Sequence, residues 1–335
     1  MADRLSSSFS RRDGVRLAAL AAATAFASGC GLLNGPGGQQ DSGSTGRTTV
    51  KVGIVPVIDA APAKLAQERG YFAEEGIDVQ VRTYASGAQA LPALNSGEID
   101  VTTINYVSFI QAVVNKAVSA KVIADSYQAT PDSLVLLAKP ETGIREPRDL
   151  MHKRVSIHHS GNIAELLVRA VMQDNGLDPN SVTYLPIPYA DIPAALGNNL
   201  IEAGVDQEPY ITQAEEQVGA VPTFKIVTGA TADIPISGYI ASDKFIQTHS
   251  AAVAAFQRAM SKGQKAATDI TALASVLPAL GVADSQKASL FKLGTFPTSV
   301  DATRLQRVAT LMQAYHFIPQ QVDVRAMILP GPSGS

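Results

Sequence analysis

Asp59 follows the run Pro56-Val57-Ile58, where a strand-like segment gives way to a helix-like one. An ionised carboxylate can only accept hydrogen bonds, so at such a lip it either receives an amine or aminopyrimidine or caps the helix that follows. Ser86-Gly87 and Ser160-Gly161-Asn162 each open a helix after a strand. Their hydroxyls and free backbone N–H groups suit an anion or a carbonyl oxygen, and equally suit helix capping. Asn105 and Tyr106 follow a third strand-like run, Tyr84 ends the second, and Ser126, Tyr127 and Asp132 flank an expected crossover between lobes. Tyrosines so placed either stack on a planar ligand or fill the edge of a core.

His158-His159 invites a metal reading that the spacing rejects. Neighbouring strand residues point to opposite faces, and the remaining histidines, His152, His249 and His316, have no ligand spacing to the pair. At a strand end, one of the two can still hydrogen-bond a ligand. No nucleophile elbow, P-loop or dinucleotide fingerprint occurs, so no catalytic constellation and no cofactor is expected.

The elements that must position these groups alternate. Strands are expected over 49–55, 77–84, 99–104 and 120–124, with helices over 62–69, from Ser86-Gly87 onward, and from an Asn105 cap to Asn115. The apolar run 134–138 leads into a Pro-, Gly- and charge-rich stretch, 139–148, where the crossover is placed. A second series follows: strand 154–157, helix 162–175, strand 182–187, helix 192–198, strand 203–205. In its first helix Ile163, Leu166, Leu167, Ala170 and Val171 share one face. Strand 236–241 can carry the chain back, and helices broken near Pro278, Gly281 and Pro297 complete it. The halves echo each other: Tyr84-Ala85-Ser86 with Leu91-Pro92-Ala93-Leu94 reappears loosely as Tyr189-Ala190-Asp191 with Ile192-Pro193-Ala194-Ala195-Leu196. The pattern predicts two α/β lobes, each a mostly parallel sheet flanked by helices, with a cleft at the strand ends between them. Their bounds are 48–138 for the first lobe, 139–235 for the second, and 236–335 for the return strand and C-terminal helices, mainly of the first lobe.

Ahead of the lobes stands the chain's single cysteine, Cys30. Arg11, Arg12 and Arg16, an apolar stretch over 15–27 and the small residues Ala27, Ser28 and Gly29 precede it. That order reads as a cleavable export signal (1–29) ending at a lipid-attachment cysteine. The stretch is too short for the roughly 20 helical residues that cross a bilayer. It resembles a lipobox, with Ala27 in place of the usual leucine. Ser10-Arg11-Arg12 resembles the twin-arginine export motif, with Gly14 where that motif takes a bulky apolar residue. Residues 30–47, dominated by Gly, Gln, Ser, Asn and Asp, read as a flexible tether. The formal net charge of the whole chain is −3, and that of residues 30–335 is about −5, with no basic patch, which argues against nucleic acid. With no second cysteine the lobes carry no internal disulfide, and their stability must come from their cores.

Several pieces in shared order carry a family resemblance: Ala61-Pro62 with Leu65-Ala66, Gly70-Tyr71-Phe72, Glu75-Gly76-Ile77-Asp78-Val79, and Ser96-Gly97-Glu98-Ile99-Asp100-Val101. Asp149-Leu150 before Lys153-Arg154-Val155, Asn175-Gly176-Leu177-Asp178-Pro179, and Glu208-Pro209-Tyr210 continue it. Over about 50–256 the chain resembles the SsuA/THI5-like (NMT1-like) substrate-binding proteins of ABC importers. The resemblance implies a type II periplasmic-binding-protein fold closing on a small molecule, a permease partner driven by a cytoplasmic ATPase, and no enzymatic activity. It also marks Glu208 as a pocket carboxylate, which as a bare residue equally reads as a solvated helix-start acid. The expected protein is a monomer, held by lipid on Cys30 at the extracytoplasmic face of the cell membrane. Family members are associated with sulfonates, taurine, nitrate and thiamine-related pyrimidines; Asp59 and Glu208, with no clear pocket arginine, favour a neutral or amine-bearing ring. Two alternatives stand beside this reading, a ligand-sensing or scaffold lipoprotein without a transporter and a THI5-like pyrimidine synthase. The export signal and the missing cysteine-rich iron motif argue against the synthase.

Overall fold

The computed structural model describes residues 46–332. The expected export signal, Cys30 and the expected tether up to residue 45 lie outside the described residues.

The first series runs β1 (Thr48–Ile54), α1 (Ala61–Glu68), α2 (Tyr71–Glu74), β2 (Ile77–Thr83), α3 (Gly87–Ser96), β3 (Val101–Asn105), α4 (Tyr106–Val114) and β4 (Ala120–Gln128). The second runs β5 (Val135–Ala138), β6 (Arg154–Ile157), α5 (Ile163–Asp174), β7 (Thr183–Pro186), α6 (Ile192–Gly197), β8 (Ala203–Asp206), α7 (Tyr210–Val218) and β9 (Val221–Pro222). The chain then returns through β10 (Pro235–Ser242) to α8 (Asp243–Thr248), α9 (Ser250–Ala266), α10 (Ile270–Val276) and α11 (Ala302–Ala314).

Two five-stranded sheets result, ordered β2-β1-β3-β10-β4 and β7-β6-β8-β5-β9. In the first, β1 pairs in parallel with β2 and β3, while β10 runs antiparallel to both β3 and β4. The second repeats the scheme, with β5 as the reversed strand between β8 and β9. Each sheet is therefore mixed, its parallel strands broken by one reversed member. Strands β5 and β8 are buried along their whole length, as expected where helices cover both faces.

The caps that set helix starts are local and legible. Asn105 accepts from Ser108 N at 2.9 Å to begin α4, and Asn162 accepts from Glu165 N at 3.0 Å to begin α5. At the start of α3, Ser86 accepts from Gln89 N at 3.2 Å. The next residue must be glycine for a packing reason, since a Cβ on Gly87 would lie 2.6 Å from Ile104 Cα on β3. Helix α1 packs on α9, and α4 packs on both α11 and α5.

One expected boundary moves. The run expected to close the first lobe, Leu134–Ala138, carries β5, which pairs with β8 and β9 and so lies in the second sheet. The chain thus crosses over 129–134, ahead of the stretch 139–148. A fully apolar strand suits the middle of either sheet, and only its partners, nearly seventy residues downstream, decide which. The return crossing, 223–234, lies beside the outward one, with Ala129 N donating to Ile234 O at 2.9 Å.

Candidate functional site

Between the ends of the two sheets lies a small cavity of about 30 Å³. From the first lobe it is lined by Val55, Val57, Asp59, Gly87, Thr103, Ile104, Asn105, Ile236 and Ser237; from the second, by His158, Tyr189 and Gln207. Hydrogen bonds from one lobe to the other close it. Ile58 N donates to Glu208 O at 3.0 Å, Tyr210 Oη to Pro56 O at 3.2 Å, and Ser108 Oγ to Gly161 O at 3.3 Å. His158 Nε2 lies 2.7 Å from the carbonyl of Ala85. A carbonyl only accepts, so Nε2 carries the proton and, in the neutral ring, Nδ1 keeps its lone pair.

Asp59 is the only carboxylate or cation on this wall. It sits in the turn after β1 and is 5% exposed. One oxygen, Oδ2, accepts from the hydroxyl of Ser237, carried in by β10; the other, Oδ1, has no partner among the described residues. Burial raises its carboxyl from 3.8 to about 6, with the Ser237 bond opposing the shift. Burial likewise lowers His158 from 6.5 to about 4, partly countered by the Ala85 carbonyl, so the imidazole is neutral at pH 7. Its ring stacks on Tyr189 at 4.0 Å between centroids. Burial, with the charges of Asp59 and Asp206 adding to it, holds the Tyr189 phenol well above its ordinary value. Gln207 is buried and its Oε1 is unpartnered among the described residues. Chemically the pocket offers hydrogen-bond acceptors, the uncharged donors of the Gln207 amide and the Tyr189 hydroxyl, two stacked aromatic rings and apolar walls, with no lysine or arginine among its lining residues.

Of the residues singled out in the sequence, the cavity brings together Asp59, Gly87, Asn105 and His158, with Ser86 one residue behind its edge. The Asn105 side chain is engaged at both ends, Oδ1 with Ser108 N and Nδ2 with Ser108 Oγ. The others are placed elsewhere. Tyr106 turns into the first-lobe core, where its hydroxyl donates to Asp125 Oδ1 at 2.9 Å. Tyr127 is buried against Phe296, its hydroxyl accepting from Gly294 N. Asn162 is fully buried as the cap of α5, and exposed Ser160 borders a separate groove with Arg169 and His316. Glu208 is buried but occupied: its carboxylate accepts from Thr212 N, Thr212 Oγ1 and Lys292 N, each at 3.1 Å. It ties the second lobe to the C-terminal segment.

Tyr189, Gln207 and Ser237 were not singled out, though two had signals. Tyr189 is the second-lobe echo of Tyr84-Ala85-Ser86, and Gln207 directly precedes Glu208. Ser237 had none, because its neighbour Asp59 is 178 residues away. A larger open groove of about 700 Å³ runs along α11 past Arg307, Asp323 and Arg325, but none of its lining residues is buried. It offers nothing that would hold a ligand away from water.

Two mixed sheets of this order, joined by paired crossings and closing on a cavity at their strand ends, define a two-lobed solute-binding architecture. The chain belongs to the NMT1/THI5-like family, whose model matches residues 58–270. The taurine-binding periplasmic protein of Escherichia coli is 24% identical over 217 residues, which cover 64% of this chain and 66% of that protein. The fold is shared with the ligand-binding component of an ABC-type import system from Staphylococcus aureus (TM-score 0.72, 15% identity, 85% of this chain and 97% of that one). It is shared also with the periplasmic aliphatic sulphonate binding protein SsuA of Escherichia coli (TM-score 0.66, 18% identity, 84% and 97%). These relatives are binding proteins. No helix among the described residues is long and apolar enough to cross a membrane.

Proposed function

We propose that this chain is the extracytoplasmic, lipid-anchored solute-binding component of an ABC importer. It captures a small molecule between its lobes and delivers it to a permease powered by a cytoplasmic ATPase. The observation that carries the reading is the cavity itself, walled by both lobes and shut by hydrogen bonds that cross between them. Binding free energy is spent on shifting an open–closed equilibrium, and the permease reads the closed form. The paired crossings at 129–134 and 223–234 are the natural hinge. Anchoring through Cys30 keeps the protein at high local concentration beside the permease.

Three measurements test this. A ligand at 100 times its Kd adds about 2.7 kcal/mol of stability, so a thermal-denaturation screen, read with an external dye because the chain has no Trp, reveals it. The same ligand should shrink the radius of gyration in small-angle scattering. Cys30→Ser should move the full-length chain from the membrane to the soluble fraction of the producing cell. An unchanged distribution removes the anchor from the proposal and leaves the capture step standing.

A further inference from the structure

We infer that the ligand of this cleft presents an N–H donor, as a protonated amine or an amino-substituted heterocycle, to Asp59 Oδ1, and is not a simple oxyanion. The inference rests on the capture reading above and specifies its ligand class.

Asp59 lines the cavity, and its Oδ1 is buried with no donor among the described residues, whereas Oδ2 already holds the Ser237 hydroxyl. A buried acceptor left without a partner is costly, and in a protein that closes around a guest the guest is the missing partner. The neighbouring His158 adds a second acceptor, Nδ1, because its proton is on the side that bonds Ala85. Glu208 cannot take the role, since its oxygens are engaged by Thr212 and Lys292.

The competing guest is an oxyanion at the amino end of α3, where Gly87 lines the cavity. A helix amino terminus carries roughly half a positive charge, against the full negative charge of an ionised Asp59 in the same small space. With no lysine or arginine on the wall, the sum repels an anion and attracts a donor. Burial raises the Asp59 carboxyl only to about 6, so it is ionised at neutral pH and available as a counter-charge. The α3 terminus remains suited to an acceptor atom elsewhere on the same guest, which admits a zwitterion.

The test compares probes that differ only in the donor. Isothermal titration of the full chain at neutral pH is run with 4-aminopyrimidine against pyrimidine, taurine against ethanesulfonate, and nitrate alone. The amine-bearing member of at least one pair should bind about 10- to 100-fold tighter than its partner, the range for a hydrogen bond to a charged group. Asp59→Asn, nearly isosteric, should erase most of that difference, and Asp59→Ala all of it. Equal binding within both pairs, or nitrate or ethanesulfonate binding that Asp59→Asn strengthens, overturns the donor inference while leaving capture between the lobes intact. No binding by any probe overturns both.

Discussion

Asp59 and Asp125 are both buried, both belong to the first lobe, and burial raises both carboxyls to about 6. Their surroundings differ. Asp125, on β4, is fully partnered: Tyr106 Oη at 2.9 Å and Ser126 N at 3.0 Å on Oδ1, Arg304 Nη2 at 2.8 Å on Oδ2. Arg304 comes from α11, so this carboxylate clamps the C-terminal helix to the sheet. Asp59, on the wall of the interlobe cavity, has one hydroxyl on one oxygen and no donor on the other among the described residues. The pair shows that an unusual titration does not by itself mark a functional group. What separates a strut from a receptor is whether the lone pairs are already taken.

Breaking the strut is the harshest test of this contrast. Asp125→Ala leaves the guanidinium of Arg304 without its counter-charge and the Tyr106 hydroxyl without its acceptor, and should cost about 3–5 kcal/mol in urea denaturation. A loss under 1 kcal/mol sinks the clamp. Removing the open carboxylate should do the opposite. Asp59→Asn relieves an uncompensated buried charge and should stabilise the ligand-free protein by about 1–3 kcal/mol at pH 7. The sign follows from linkage. The folded Asp59 holds its proton up to about 6 and the unfolded one only to about 3.8, so its contribution is favourable in acid and is lost as pH rises through that window. The variant's advantage should therefore vanish below about pH 4; an advantage that persists there would have another origin.

Gly87→Ala tests the frame that holds the open site. Its Cβ would press on the β3 backbone, so α3 must shift, at about 1–3 kcal/mol and with weakened ligand binding. Unaltered stability would mean that α3 can slide freely. The mildest change is His158→Phe, which keeps a ring against Tyr189 but deletes the cross-lobe bond to Ala85. The expected loss is about 1 kcal/mol from the closed form alone, visible as a larger ligand-free radius of gyration with little change in Tm.

Much of this contrast was legible along the chain, and what was hidden depended on distant partners. Strand-to-helix junctions put Asp59, Ser86, Asn105 and Asn162 where the structure has them, because caps and turns are local chemistry. Whether a side chain then faced the cleft was decided elsewhere. Tyr106 turns inward because Gly238 on β10 has no side chain to keep its ring out, a Cβ there falling 2.9 Å from Tyr106 Cε1. Glu208 is consumed by an amide 84 residues away, and Asp59 is met by a serine 178 residues away. The misplaced crossover has the same source, since an apolar run does not say which sheet it will join.

Strand β10 has one more consequence, in the order of synthesis. Among the described residues β4 is hydrogen-bonded within its sheet only to β10, apart from isolated bridges from Val122 to Ile328 and from Gln128 to Thr295. A nascent chain leaves the ribosome amino end first, so β1 to β4 and the whole second lobe emerge before the strand that joins β3 to β4 and brings Ser237 to Asp59. The second lobe can finish as an insert while the first is still open-edged. The receptor is therefore among the last parts to mature, and a chain stalled before residue 235 carries Asp59 without the serine that orients it.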